Sequence, residues 1–68
     1  ELLETLAQGI TTLRENEQMV ISLYYQKNLR MKEIAQVMDV SEPRVSQIHS
    51  RAIQKLKLYM QQYMSGGQ

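Results

Sequence analysis

Residues 31–53 read MKEIAQVMDVSEPRVSQIHSRAI. Apolar or small side chains fall at Ile34, Ala35, Met38, Val40, Val45, Ile48 and Ala52. That spacing predicts a short helix, a tight three-residue break at Met38-Asp39-Val40, and a second helix starting at Ser41. Ala35 stands where two steeply crossing helices need a small side chain. Val45 and Ile48 are spaced to point back at Ile34 and Met38 and close a small core beneath the turn. The pattern is that of a helix-turn-helix, whose second helix can enter the DNA major groove by its N-terminal end. A helical hairpin inside a larger bundle is the plainer reading of the same spacing, and the chemistry of the second helix weighs against it.

Ser41 suits the N-cap of that helix, because its hydroxyl can accept a free backbone N–H. Pro43 is tolerated in the first turn, where its missing N–H had no partner. Glu42, Pro43, Ser46, Gln47 and Ser50 fall on the face opposite Val45 and Ile48, near the end that would meet base edges. Glu can accept from the cytosine amino group, and Gln can pair bidentately with adenine. Arg44, Arg51 and Lys55 flank this strip within reach of phosphates, which position a protein on DNA without reading sequence. Each residue alone is ordinary on an exposed helix face. Together, on the second helix of this motif, they point to recognition.

Upstream the periodicity is helical throughout. Leu2, Leu3, Leu6, Ile10 and Leu13 predict an amphipathic helix over about residues 2–12. Gly9 lies inside it at a cost of about 1 kcal/mol relative to Ala, so a short or bent helix is expected. A second helix is expected from Glu15 to Tyr25, with Glu15 and Glu17 suited to the dipole of its first turn. Met19, Val20, Leu23 and Tyr24 make up its inner face, and Lys27-Asn28 forms a polar break. The third helix is expected over Met31–Met38. In the fourth, Val45, Ile48, Ala52, Leu56, Tyr59, Met60 and Tyr63 continue one apolar stripe beyond what the turn requires. Tyr59, Met60 and Tyr63 are expected to pack on the first helix near Leu2, Leu3 and Leu6. The fold class is therefore all-α: a small four-helix domain over residues 1–64, with a C-terminal helix-turn-helix, a long recognition helix and a disordered tail at 65–68.

Composition bounds the rest. Sixty-eight residues leave room for one small domain. The absence of cysteine excludes disulfides and thiolate metal sites. The longest apolar runs are far too short to cross a bilayer and no signal peptide is visible, so a cytoplasmic setting without membrane contact is expected. The chain opens in mid-pattern at Glu1-Leu2-Leu3 without an initiator Met, as a piece of a longer protein would. Net charge is only +1, but it is unevenly spread. Residues 1–28 carry Arg14 and Lys27 against Glu1, Glu4, Glu15 and Glu17, a net of −2. Residues 29–68 carry Arg30, Lys32, Arg44, Arg51, Lys55 and Lys57 against Glu33, Asp39 and Glu42, a net of +3. A basic C-terminal half permits phosphate neutralisation. An enzyme is not expected: His49 is the single histidine, and Glu33, Asp39 and Glu42 do not converge by spacing. His49 reads as a polar residue on the flank of the recognition helix, able to touch DNA or cap a neighbour. No metal, cofactor or small-molecule substrate is implied.

The run EPRVSQIHSRAIQKLK (42–57), preceded by KEIAQVMDVS (32–41), resembles region four, the C-terminal domain of bacterial sigma factors. Within these it is most similar to the flagellar or motility class, in which an R-[VI]-S-Q-[IL]-H-S-x-A run is typical. The upstream ITTLRENEQMVISLYYQKNLRMKEIAQVM (10–38) resembles the same family, and the likeness covers about residues 5–58. It implies binding to the −35 element of promoter DNA and docking on the β flap of RNA polymerase core. By resemblance, Glu42, Pro43, Ser46 and Gln47 match base-contacting positions, and Ser41, Arg44, Arg51 and Lys32 match backbone contacts. The flap contact, or that of an anti-sigma factor, would draw on Leu6, Ile10, Leu13, Val20 and Tyr24, most of which also hold the fold. Two departures stand out. The family usually has Ser, Thr or Pro before the second and third helices, where this chain has Arg14 and Arg30, so each helix start is expected to be about 1 kcal/mol weaker. Asp39 replaces the turn Gly of many helix-turn-helix proteins. Two other readings stay open: the DNA-binding domain of a LuxR-type response regulator, which shares the Lys-Glu-Ile-Ala helix, and a helical interaction module that no longer binds DNA and is held by an anti-sigma factor.

Overall fold

The computed structural model describes the backbone of residues 2–65 and the side chains of residues 3–62. Helix α1 spans Leu2–Thr11, α2 Glu15–Ile21, α3 Met31–Met38 and α4 Glu42–Ser65, with a π-helical turn at Ser22–Gln26 directly after α2. The α3–turn–α4 unit therefore falls where the apolar spacing places it. Helix α4 runs one residue into the expected tail, and residues 66–68 lie outside the described residues, as does the side chain of Tyr63.

The helix ends show how the sequence manages its orphan backbone groups. At the close of α1, the N–H groups of Thr12 and Leu13 donate to the carbonyls of Gly9 and Ile10, both at 3.1 Å. The hydroxyls of Thr11 and Thr12 donate to the carbonyls of Gln8 and Gly9, both at 2.6 Å. Arg14 and Arg30 occupy the N-cap positions of α2 and α3 in extended conformation. Neither side chain can accept a proton, so the Ser/Thr half of a capping box is lost as expected. Its other half survives: the Arg14 N–H donates to Glu17 Oε1 and the Arg30 N–H to Glu33 Oε1, each at 2.8 Å. Ser41 behaves as a full cap, its Oγ accepting from the Arg44 N–H at 3.2 Å.

The second helix departs from expectation. It is α-helical only to Ile21, and the next turn is wider, with the Lys27 N–H donating to the Ser22 carbonyl at 3.2 Å. Asn28 then takes a left-handed conformation, φ 57°, and the Leu29 N–H reaches the Leu23 carbonyl at 3.0 Å. Both consecutive tyrosines of this turn pack on His49 of α4. The Tyr24 ring meets it edge-on at 5.1 Å and the Tyr25 ring stacks at 5.7 Å. A π turn thus lets adjacent side chains share one target. Asp39 is the other left-handed residue, φ 57°, ψ 47°. It ends α3 with Val40 N–H to Ala35 O at 3.0 Å and Asp39 N–H to Gln36 O at 3.3 Å, the paired bonds of a Schellman motif. Asp is among the few non-glycine residues that visit this region readily.

Two apolar clusters hold the helices. Val20, Ile34, Ala35, Val45 and Ile48 form the core beneath the turn, with Met38 and Val40 packed against it. Leu13, Ile21, Ala52 and Leu56 form the second, joined by Leu6, Ile10 and Ile53. On α2 the buried apolar residues are Val20 and Ile21, whereas Met19 is 43% exposed, a correction to the expected inner face. Leu3 is 71% exposed. Tyr59 and Met60 are half-buried, and Tyr59 meets α1 at Gly9. A Cβ on Gly9 would lie 2.9 Å from Tyr59 Cδ1 and 3.3 Å from Leu56 Cδ2. The glycine that costs helix propensity is what allows α1 and the far part of α4 to approach.

Candidate nucleic-acid interface

Glu42, Pro43, Ser46, Gln47 and Ser50 are all exposed, while Val45 and Ile48 are buried on the opposite side of α4. Ser41 is exposed at the helix entrance, Arg51 is exposed one turn beyond Gln47, and Lys32 is exposed on α3. The strip begins at the capped end of α4, where the helix leaves the turn.

Arg44 is half-buried, and its Nη1 donates to Gln47 Oε1 at 2.9 Å. It lies in a cleft of about 240 Å³ between the start of α2 and α4, lined by Arg14, Asn16, Glu17, Arg44, Ile48, Arg51 and Lys55. Four cations thus meet one carboxylate. That carboxylate, on Glu17, is 3% exposed, and Lys55 Nζ lies 2.9 Å from each of its oxygens. Burial pushes its pKa up, but the Lys55 hydrogen bond, the Arg14 N–H and the charges of Lys55 and Arg14 outweigh this and hold it below the usual value. Lys55 is therefore engaged by Glu17, not standing free beside the strip. Arg14 and Arg51 make no ion pair among the described residues. Arg14 escaped sequence reasoning as a site residue. A cation at a cap position that calls for an acceptor was the available signal.

His49 is turned away from the strip. Its Nε2 lies 2.9 Å from the Tyr25 hydroxyl, and both tyrosines pack on its ring.

A second surface lies across the molecule. Leu6, Ile10, Ile21, Tyr25, Ile53 and Leu56 line an apolar groove of about 380 Å³ between α1, the end of α2 and α4. Of the residues expected to dock a partner, Leu6 and Ile10 belong to it. Leu13 and Val20 do not: they are 5% and 0% exposed and are committed to the two cores. Tyr24 is half-buried between the helix-turn-helix core and His49. Exposed Tyr25, half-buried Ile53 and the buried core residues Ile21 and Leu56 complete the groove's apolar lining. Among the described residues no group of His, Asp or Glu is placed to hold a metal ion, and no helix is long and apolar enough to cross a membrane.

Comparison with known proteins agrees with this geometry. The Sigma-70, region 4 family model matches residues 9–58. The chain is 51% identical over 57 residues to the RNA polymerase sigma-D factor of Bacillus subtilis, covering 84% of this chain and 22% of that protein. It is 47% identical over 57 residues to the sigma factor FliA of Salmonella typhimurium, covering 84% and 24%. To FliA of Pseudomonas aeruginosa it is 43% identical over 60 residues, covering 88% and 24%. The chain thus spans about a quarter of the length of the curated relatives it matches. No solved structure gives a significant match. A helix-turn-helix with a capped, polar-faced second helix, matched over residues 9–58 by this model and over 57 residues by the sigma-D and FliA sigma factors, places the chain in the sigma-70 region 4 family.

Proposed function

We propose that this domain reads the −35 element of promoter DNA for a sigma factor that directs RNA polymerase to flagellar-class promoters. The observation that carries this reading is the exposed strip Glu42, Pro43, Ser46 and Gln47 on the Ser41-capped end of α4, opposite the buried Val45 and Ile48. These four side chains read base edges in the major groove. Ser41, Arg44, Arg51 and Lys32 hold the sugar-phosphate backbone, and Arg14 joins them from the start of α2. Membership of region 4 sets aside the LuxR-type reading. The role is binding without catalysis, in the cytoplasm. Titration of a fluorescent promoter duplex and a scrambled duplex at two salt concentrations tests it. The domain should favour the promoter duplex, and both affinities should fall with salt. Equal affinity for the two duplexes would refute sequence reading.

The apolar groove of Leu6, Ile10, Ile21, Tyr25, Ile53 and Leu56 supports a second role for the same domain, docking on the β flap of polymerase core. An anti-sigma helix competing for the same groove would leave the DNA strip uncovered. Ile53→Glu should weaken capture of a β-flap fragment far more than it weakens duplex binding. Equal losses in the two assays would point to a folding defect instead of a docking surface.

A further inference from the structure

Arg44 and Gln47 are three residues apart on α4, a spacing at which helical side chains meet. The Arg44 guanidinium donates to Gln47 Oε1 at 2.9 Å. Arg44 is half-buried beside Ile48 in the basic cleft, whereas Gln47 is exposed. The packed residue therefore sets the orientation of the free one. A carboxamide has an acceptor end and a donor end. With a cation on the acceptor end, rotating the amide by half a turn would place its NH2 against the guanidinium and lose a charge-assisted bond. Gln47 consequently presents Nε2, with two N–H donors and no partner among the described residues, beside the remaining N–H groups of Arg44.

Such a face is rich in donors. Adenine N6 and cytosine N4 are donors themselves and meet it unfavourably, whereas guanine offers acceptors at both O6 and N7. We infer that Arg44 makes Gln47 a donor-side reader, so that the position it meets favours guanine over adenine, against the adenine pairing open to an unconstrained glutamine. This rests on the major-groove reading above. Arg44 acts here as a positioning residue as well as a phosphate contact, and the two roles separate experimentally: one changes the ranking of bases, the other lowers all affinities together.

The test titrates the 68-residue chain at low salt against duplexes varied one position at a time through the bound site. The position whose preference Gln47→Ala flattens is the one Gln47 reads. There the unsubstituted chain should favour guanine over adenine by about tenfold, and 7-deazaguanine should cost a similar factor. Arg44→Ala should weaken binding to every duplex and in addition bring adenine level with guanine. A preference for adenine in the unsubstituted chain, an unchanged ranking in Arg44→Ala, or no position flattened by Gln47→Ala overturns the inference. The deazaguanine measurement needs no variant, so loss of folding in Arg44→Ala leaves it intact. A chain with no sequence preference at any position overturns promoter reading itself, which is a different result.

Discussion

The hydroxyl of Tyr25 lies 2.9 Å from Nε2 of His49, joining the π turn to the recognition helix across 24 residues of sequence. The same two rings stack at 5.7 Å with 27° between their planes, and Tyr24 closes on both edge-on. His49 follows the base-reading strip by two residues, so this cluster fixes the rotation of α4 about its own axis. Tyr25→Phe keeps the stack and removes the hydrogen bond, and with Tyr25 53% exposed the loss should be about 0.5–1 kcal/mol. His49→Ala removes both and should cost about 1 kcal/mol more. Urea denaturation of the two variants checks the order.

Gly9→Ala should destabilise the domain although Ala favours helix. The added Cβ would lie 2.9 Å from Tyr59 Cδ1, on the body of the ring and not at a flexible tip. Overpacking of this kind costs about 1–3 kcal/mol, against about 1 kcal/mol gained in propensity. The double variant Gly9→Ala, Tyr59→Ala should recover the propensity gain relative to Tyr59→Ala alone. A thermodynamic cycle on the four proteins measures it.

The helix-turn-helix was legible because its determinants are local. Ser41 and Asp39 act on backbone groups within five residues, and the apolar period of Ile34 to Ile48 needs no knowledge of distant chain. Even the half-boxes at Arg14 and Arg30 were written in the sequence, as Glu17 and Glu33 three residues on. What periodicity could not supply depends on partners far along the chain. The π turn answers to His49, 24 residues beyond Tyr25, and Glu17 is matched by Lys55, 38 residues away. Met19 and Ile21 lie in the regular part of α2, where the inner face is set by packing on α4 through Glu17, Val20 and Ile21. Ile21 joins Ala52 and Leu56 in the second cluster. For the site, the strip was legible from α4 alone. Arg14 was not, since its place beside Arg44 and Arg51 exists only once α2 packs on α4.

Glu17 gives the fold a definite acid limit. Its carboxyl is held below the usual value in the folded chain, so in mildly acidic solution the unfolded chain binds more protons. The Glu17 contribution is therefore present above the unfolded pKa and is lost as pH falls through the folded one. Melting temperature should drop on acidification from pH 5 toward pH 3. Glu17→Gln should remove part of that slope and lower stability at pH 7 by about 1.5–3 kcal/mol, the usual worth of hydrogen bonds to a charged group. Parallel thermal melts of both proteins across this range check the slope and the offset together.

Phosphate contacts should divide the cleft cations into two kinds. Arg51 and Arg14 make no ion pair among the described residues, whereas Lys55 is 46% exposed and pairs with Glu17 at 2.9 Å. A cation that neutralises a phosphate releases a counterion, and each lost contact lowers the slope of log K against log salt by about one unit. Arg51→Ala and Arg14→Ala should each do so, on specific and random duplexes alike. Lys55→Ala should leave the slope nearly unchanged and lower the melting temperature instead, because it strands a buried carboxylate. Titrations of the three variants at four salt concentrations, with a melt for each, separate the outcomes. An unchanged slope in Arg14→Ala would confine the phosphate contacts to the helix-turn-helix itself. A reduced slope would mean that α2, outside the motif, also grips the DNA.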